Sequence, residues 1–169
     1  MRHRIFIAIN LQEDIKKKLA DYQNKWPELP CRWTKKENLH ITLEFLGYLT
    51  DEEILEAIEK TKETASKQEP YFIALNKIVY GPPQKPPRMV WAIGDKIREF
   101  NLSPHLTLGR LRQWEFNKME IEERPEINEE INLTFEVNSI EVMESELKRT
   151  GPKYIILESC PLTPLEIPE

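Results

Sequence analysis

The chain has 169 residues and a mass of 20.1 kDa, which fits one domain or two small lobes, and 40% hydrophobic residues allow a real core. Its formal net charge of −5 argues against a protein that coats long nucleic acid, but not against an enzyme that holds one or two phosphates. No apolar run approaches the about 18 residues of a membrane span, and the cysteines lack metal-binding spacing. With no signal peptide, we expect a reduced, soluble, cytoplasmic protein.

The first third of the chain alternates strand and helix patterns. An apolar run of strand type ends at Asn10, and Asn10 with Glu13 resembles the capping box of a helix that Pro27 ends. Thr50 with Glu53 repeats the capping signal before a second helix. The strands predicted in this part are Ile5–Asn10, Cys31–Thr34 and Asn38–Gly47.

The rest of the chain is predicted to be mostly strands. A proline-dense loop, "GPPQKPPR", separates the first two of them. Gln113 to Ile131 is charged and broken by proline, which predicts a loop with a helical turn or two. The predicted strands are Tyr71–Tyr80, Met89–Gly94, His105–Leu111, Leu133–Ser145 and Lys153–Cys160. This order indicates an α+β fold rather than regular parallel βαβ units.

One four-residue pattern occurs twice. The chain has three histidines, and two of them stand in the same frame, His40-Ile-Thr42-Leu and His105-Leu-Thr107-Leu. In a strand, residues i and i+2 point to the same face about 6.5–7 Å apart, so each His shares a face with its Thr. Two such strands set side by side would present two imidazoles and two hydroxyls together.

Two imidazoles that straddle a phosphate meet the needs of acid–base phosphodiester hydrolysis. One takes a proton from the attacking oxygen and the other gives a proton to the leaving oxygen, near an unperturbed pKa of about 6.5. Threonine hydroxyls can donate to the non-bridging oxygens, and no metal or other cofactor is needed. Against this stands the ordinary interpretation of a strand histidine as a surface or core residue, which we prefer for His3. A zinc site would need further ligands at ordered spacing, which the sequence does not offer.

The chain resembles the RNA 2′,3′-cyclic phosphodiesterases, also called 2′-5′ RNA ligase-like proteins, of the two-histidine phosphoesterase superfamily. The resemblance runs nearly end to end through "IFIAIN", "RWTKKENLHITLEFLG", "VWAIGD", "PHLTLGRLR" and "SIEVMESELKRTGPKYIIL". It implies a single bilobal α+β domain over residues 1–169, with an antiparallel sheet in each lobe, helices outside and the active-site cleft between the lobes. It also implies a metal-independent hydrolase of RNA ends or small nucleotides with a 2′,3′-cyclic phosphate, which we expect to be a monomer.

Site residues carry over from this resemblance position by position. His40 corresponds to the proton donor, His105 to the proton acceptor, and Thr42 and Thr107 to the phosphate binders. Arg110 often has a counterpart near the phosphate, but in a regular strand it would point away from His105 unless a bulge intervenes at Gly109.

Other side chains leave two interpretations open. Phe45 and Trp33 are possible base contacts, although we favour core packing for both. A set of basic residues flanks the motifs and predicts either one basic face or scattered solvated charges. These residues are Lys35, Lys36, Lys85, Arg88, Arg110, Arg112, Lys148 and Arg149.

One departure from the resemblance concerns the second lobe. Family members carry an additional helix between the "VWAIGD" strand and the second motif, where this chain has only Lys96 to Pro104. Either the helix has been lost, or the 169 residues omit a stretch of chain, which is the explanation we favour.

Three activities are compatible with these residues. Hydrolysis of a cyclic phosphate to a 2′-phosphomonoester is the leading hypothesis. The reverse chemistry would join a cyclic end to a 5′-hydroxyl through a 2′-5′ linkage, with the same four residues. A non-catalytic RNA- or nucleotide-binding module is the third, although a binder has no need of paired proton carriers.

Overall fold

The computed structural model describes residues 1–83 and 86–164. Within them the strands are β1 His3–Asn10, β2 Cys31–Trp33, β3 His40–Leu49, β4 Tyr71–Gly81, β5 Met89–Gly94, β6 His105–Leu111, β7 Asn128–Val137, β8 Ser139–Lys148 and β9 Gly151–Pro161. The α-helices are α1 Glu13–Tyr22, α2 Asp51–Ser66 and α3 Gln113–Lys118. Short 3₁₀ turns at Gln23–Lys25, Lys36–Asn38, Arg98–Phe100 and Ile121–Glu123 complete the elements.

The predicted capping signals have opposite outcomes. Thr50 accepts from the Glu53 amide and Glu53 accepts from the Thr50 amide, so the capping box of α2 is confirmed. The capping box predicted at Asn10 is wrong, because Asn10 is the last residue of β1 and α1 begins after Gln12, which makes no side-chain cap. Leu11 and Gln12 separate the strand from the helix here, and the sequence pattern alone did not show this separation.

The last third of the chain contains one strand more than predicted. The predicted strand Leu133–Ser145 is two strands, β7 and β8, with Asn138 between them. β7 also begins at Asn128, inside the segment predicted to be a loop, while α3 supplies the predicted helical turns. Strict alternation of buried and exposed residues along β7 is typical of a half-buried strand.

The chain divides into two compact units, and each contains most of one sheet. One unit combines Met1–Asn10 and Thr42–Phe72 with the chain from Glu136 onward, and the other combines Leu11–Ile41 with Ile73–Phe135. The predicted α+β class with an antiparallel sheet in each of two lobes is confirmed. The predicted cleft between the lobes stays a prediction.

The first unit contains a four-stranded sheet of order β3-β1-β8-β9. β1 and β8 are antiparallel, with Ile5 opposite Glu144 and Phe6 opposite Met143. α2 packs against β8 and β9. Ile5 is fully buried on one face of β1 and Phe6 is almost fully buried on the other, so both faces of this strand are covered.

The second unit contains a five-stranded sheet of order β2-β6-β5-β4-β7. One face of its central strands is apolar and completely buried, with Val90 and Ala92 of β5 beside Leu106 and Leu108 of β6. The alternate residues of the same strands point to the opposite face, which is only partly buried. This second face, called here the open face, holds the polar side chains of the second motif.

The connection between β5 and β6 is short. It contains the 3₁₀ turn Arg98–Phe100 and a bridge between Ile97 and Leu102, and the Gly94 amide donates to the Pro104 carbonyl at 3.1 Å. No α-helix lies between β5 and β6, where every residue is described. The connection between β5 and β6 is therefore short and continuous, which agrees with loss of the helix. The explanation that we favoured, an omitted stretch of chain, is wrong.

Candidate functional site

The first motif begins where a 3₁₀ turn enters β3. His40 is the first residue of the strand, and its Nδ1 lies 2.7 Å from the carbonyl oxygen of Asn38. Because a carbonyl only accepts, Nδ1 must carry the hydrogen, and in the neutral ring Nε2 is then the basic nitrogen. Leu39 and Ile41 on either side are completely buried and fix the backbone of this turn in the core.

The surroundings of His40 favour its neutral form. Burial lowers the pKa of His40 below its ordinary 6.5, and the charge of Lys16 lowers it further, while the hydrogen bond to Asn38 acts in the opposite direction. Lys16 is itself almost completely buried, and its Nζ donates to the carbonyl of Glu37 at 3.2 Å. A proton on His40 is therefore held weakly.

The second motif repeats the backbone contact of the first. His105 begins β6, and its Nδ1 lies 3.2 Å from the carbonyl oxygen of Ser103. The offset between histidine and carbonyl is two residues in both motifs. The same tautomer follows, with Nε2 as the nitrogen that can accept a proton.

The ring of His105 also packs on an indole. Trp91 of β5 lies with its ring centroid 4.5 Å from that of His105, at an interplanar angle of 37°. On its other side the indole covers Gly81, where an added Cβ would come within 2.4 Å of the ring. The Nε1 of Trp91 is buried and has no hydrogen-bond partner in the described part of the chain. The indole of Trp91 thus lies between Gly81 of β4, which has no side chain, and His105 of the second motif.

A bulge in β6 decides the direction of Arg110. Trp91 is opposite Thr107 and Val90 is opposite Gly109, so β6 has one more residue than β5 between these pairs. After the bulge, Arg110 is opposite Met89, which shares a face with Trp91. The bulge considered in the sequence at Gly109 is therefore present, and it brings His105, Thr107 and Arg110 onto the open face.

Thr107 and Arg110 approach the same side chain. The Thr107 hydroxyl lies 4.0 Å from the sulfur of Met89, and a guanidinium nitrogen of Arg110 lies 3.6 Å from it. Both are weak hydrogen bonds, which a stronger acceptor such as a phosphate oxygen would replace. Thr42 lies on β3, half-buried, in the first unit.

Two residues that the sequence did not single out hold the second motif in place. Thr34 donates its amide to Leu108 O at 2.8 Å and its hydroxyl to Thr107 O at 3.0 Å. Gln23 donates to the carbonyls of Thr34 and Leu108, at 2.8 and 3.0 Å. Both lie before His40 in the chain, and neither has a spacing or motif that marks it, although Thr34 stands within the family-like segment "RWTKKENLHITLEFLG".

The possible base contacts differ in their burial. Trp33 is half-buried and stacks on Trp26 with ring centroids 6.4 Å apart, so core packing is confirmed for Trp33. Core packing is wrong for Phe45, which is 64% exposed, with its ring centroid 6.1 Å from that of Phe6 and 5.9 Å from the Arg4 guanidinium. β3 is an edge strand of its sheet, so most of the ring stays accessible to solvent.

Several of the basic residues near the motifs have acidic partners. Lys36 pairs with Glu13, Arg112 with Glu115 and Lys148 with Glu146, which favours the interpretation of scattered solvated charges for these three. Lys85 lies outside the described residues. Lys148 and Arg149 belong to the first unit and the other described members to the second.

Four further expectations concern the cysteines, metal binding, membrane-spanning helices and His3. Cys31 and Cys160 are both buried and form no disulfide, as predicted. No group of three or more His, Cys, Asp or Glu side chains is arranged to hold a metal ion in residues 1–83 and 86–164. In the same ranges no helix is long and apolar enough to cross a membrane. His3 pairs with Glu144 and Asp51, which supports a structural role for it.

Comparison with known proteins shows which proteins this chain is similar to. Residues 9–91 match the model of the LigT-like phosphoesterases. The chain is 28% identical over 175 aligned residues to the RNA 2′,3′-cyclic phosphodiesterase of Methanocaldococcus jannaschii, covering 92% of this chain and 98% of that protein. The chain is therefore similar to the LigT-like phosphoesterases over residues 9–91 and to this relative over nearly its whole length.

Solved structures of LigT-like phosphoesterases and related chains share this fold. TT0787 of Thermus thermophilus superposes with a TM-score of 0.81 at 23% identity, and the superposition covers 96% of this chain and 100% of TT0787. E. coli LigT complexed with 3′-AMP superposes with a TM-score of 0.74 at 21% identity, covering 96% of this chain and 99% of LigT. At these identities the likeness establishes the fold of this chain and no more.

Proposed function

We propose that this chain hydrolyses RNA 2′,3′-cyclic phosphate ends to 2′-phosphomonoesters by metal-independent acid–base catalysis with His40 and His105. One observation carries the proposal: both motif histidines direct Nδ1 to the carbonyl two residues earlier, so both have Nε2 as the reactive nitrogen. The name of the M. jannaschii relative supports the same substrate class. A histidine that merely packs in a strand has no reason to repeat this contact in a second motif.

The proposed reaction opens the cyclic phosphate on its 3′ side. The basic histidine removes a proton from water as the water oxygen bonds to phosphorus, and the P–O3′ bond breaks. The other histidine, protonated at the start, gives its proton to O3′, so the 2′-phosphate and a free 3′-hydroxyl are the products. Thr42, Thr107 and Arg110 bind the non-bridging oxygens, whose negative charge increases in the transition state.

The order of the two histidines is the open part of this mechanism. The family resemblance makes His40 the donor and His105 the acceptor. The lowered pKa of His40 supports the opposite order, because a ring that is neutral near neutral pH is ready to act as a base. Catalysis by a pair of histidines holds in either order.

The alternatives use the same side chains. In ligation a 5′-hydroxyl replaces water as the attacking oxygen, the P–O3′ bond breaks in the same way and a 2′-5′ linkage forms, and the concentration of water favours hydrolysis. A binding module would keep the threonines and Arg110 but would not depend on a proton at either histidine.

The test is turnover of a short RNA ending in a 2′,3′-cyclic phosphate, in excess EDTA, by the wild type and by His40→Ala and His105→Ala. We expect conversion to a 2′-phosphate end by the wild type and a loss of about 10²–10⁴-fold in kcat for each variant. His3→Gln is the matched control, since His3 is the third histidine and pairs with Glu144 and Asp51 of the first unit.

Each outcome separates the hypotheses. Binding of the RNA without turnover by the wild type would favour the binding module. Turnover that survives both alanine substitutions would refute the two-histidine mechanism, and turnover that is lost in EDTA would refute its independence of metal. An added RNA with a 5′-hydroxyl, followed for a 2′-5′ linked product, measures the ligation alternative.

A further inference from the structure

A pair of arginines lies side by side on the open face of the five-stranded sheet. β2 pairs with β6 so that Arg32 is directly opposite Arg110. Trp33 and Cys31, the neighbours of Arg32, surround the position of Gly109 on the buried face, at 2.9 and 2.4 Å from where its Cβ would be. Arg32 therefore points to the other face, where it is exposed beside Arg110.

This arrangement is unfavourable without an anion. Side chains directly opposite in an antiparallel pair have Cβ atoms about 4.5–5.5 Å apart, and like charges at that spacing repel. In the part of the chain that the structure describes, neither Arg32 nor Arg110 forms an ion pair with a carboxylate. Lys36, Arg112 and Lys148, by contrast, each have one.

The two guanidiniums are placed to take different anions. Arg110 reaches toward β5, where its guanidinium approaches the same Met89 sulfur as the Thr107 hydroxyl. It therefore belongs with the phosphate position proposed for the second motif. Arg32 is one strand further out, displaced by about 4.8 Å from β6, on the side of β6 away from Met89.

We propose that Arg32 binds the phosphodiester on the 5′ side of the terminal nucleotide and so makes the site prefer a longer end to a cyclic mononucleotide. This inference rests on the proposed function, because Arg110 and Thr107 must hold the cyclic phosphate for Arg32 to face the next one. A guanidinium binds phosphate oxygens bidentately, and a phosphate bound to each arginine offsets their mutual repulsion. A cyclic mononucleotide has no phosphate to offer Arg32.

The test compares three substrates: a cyclic mononucleotide, a dinucleotide ending in a 2′,3′-cyclic phosphate, and the same dinucleotide with a neutral methylphosphonate linkage. For Arg32→Gln we expect the preference for the natural dinucleotide over the mononucleotide, as a ratio of kcat/KM values, to fall about tenfold. The natural dinucleotide and its methylphosphonate analogue should then become nearly equivalent substrates. Lys60→Gln on α2 removes the same charge elsewhere and should keep the wild-type ratio.

The outcomes decide between a phosphate subsite and other roles for Arg32. An equal loss for all three substrates would show a general effect on the site and overturn the proposal, as would an unchanged ratio. A wild type that prefers the mononucleotide would overturn it as well. A loss with the dinucleotide and its methylphosphonate analogue alike would assign Arg32 to the base or sugar.

Two measurements do not depend on turnover. Calorimetric binding of the dinucleotide product, ending in a 2′-phosphate, should weaken about tenfold in Arg32→Gln if the subsite exists, even if the proposed function fails. Thermal unfolding should show a Tm for Arg32→Gln equal to or above that of the wild type, because the repulsion is gone. A clearly lower Tm would identify Arg32 as a structural residue and contradict the proposal.

Discussion

The two motifs share a backbone contact and differ in what surrounds it. His40 is half-buried, with the buried Lys16 nearby and a lowered pKa, whereas His105 is exposed and leans on Trp91. The same four-residue frame thus sets the tautomer twice but leaves the electrostatic environment to neighbouring elements. Since an acid and a base need different environments, we expect this difference, and not the repeated frame, to decide the order of the two histidines in the proposed mechanism.

The largest effect that tests this comparison comes from changing the leaving group. In a cyclic substrate with sulfur in place of the bridging 3′ oxygen, the leaving group is a thiolate. A thiolate leaves without receiving a proton. The variant that lacks the donor should recover about 10²–10⁴-fold relative to the oxygen substrate, while the variant that lacks the base should not. The lowered pKa of His40 predicts recovery for His105→Ala.

Steady-state rates on the oxygen and sulfur substrates, for both alanine variants and the wild type, give the answer. Recovery by His40→Ala would instead support the order that the family resemblance implies. Recovery by neither variant would show that proton donation is not what the second histidine contributes.

The frame itself could be predicted from the sequence, and its environment could not. Alternation placed His105 and Thr107 on one face, and the α+β class followed from the order of strands and helices. The direction of Arg110 depended on a bulge, which a one-residue difference between paired strands creates and a single sequence does not reveal. Likewise, Thr34 and Gln23 act through hydrogen bonds to backbone carbonyls distant in sequence, for which local spacing has no signal.

A smaller loss should follow when the support of His105 is removed. Trp91→Leu takes away the indole that lies 4.5 Å from the imidazole, and we expect kcat to fall about 10- to 100-fold with little change in KM. Trp91→Phe keeps an aromatic face and should fall less. The imidazole C–H signals of His105, shifted by the indole ring current in the wild type, should move toward ordinary positions in Trp91→Leu.

The control for this substitution is the other motif. The imidazole signals of His40 should stay in place in both Trp91 variants, because Trp91 packs on the second motif. Movement of both sets of signals would indicate a general loss of structure, and unchanged His105 signals would show that Trp91 does not hold the ring.

The bulge beside the second motif should have a measurable effect on stability. Gly109→Ala would place a Cβ 2.4 Å from the sulfur of Cys31 and 2.9 Å from the ring of Trp33, so we expect the free energy of unfolding to fall by about 1–3 kcal/mol. Cys31→Ala in the same chain removes the sulfur and should restore part of this loss. Urea unfolding of both single variants and the double variant measures the coupling, and strictly additive losses would contradict the predicted clash.

The smallest expected effect concerns the pH dependence of stability, where His3 and His40 should behave oppositely. The hydrogen bond to Glu144, together with the charges of Glu144 and Asp51, raises the pKa of His3 above 6.5. Its contribution is therefore fully present below the unfolded value and is lost as pH rises through the raised folded value. Burial lowers the pKa of His40, so its contribution is present above the unfolded value and declines as pH falls through the folded one.

Urea unfolding between about pH 5 and pH 9 compares the wild type with His3→Gln and His40→Gln. The difference in unfolding free energy between wild type and His3→Gln should shrink as pH rises above about 6.5, while the difference for His40→Gln should shrink as pH falls below it. Parallel curves for the two variants would mean that the motif histidine and the ion-paired histidine sit in equivalent environments. The support that a lowered pKa of His40 gives to its acting as the base would then be lost.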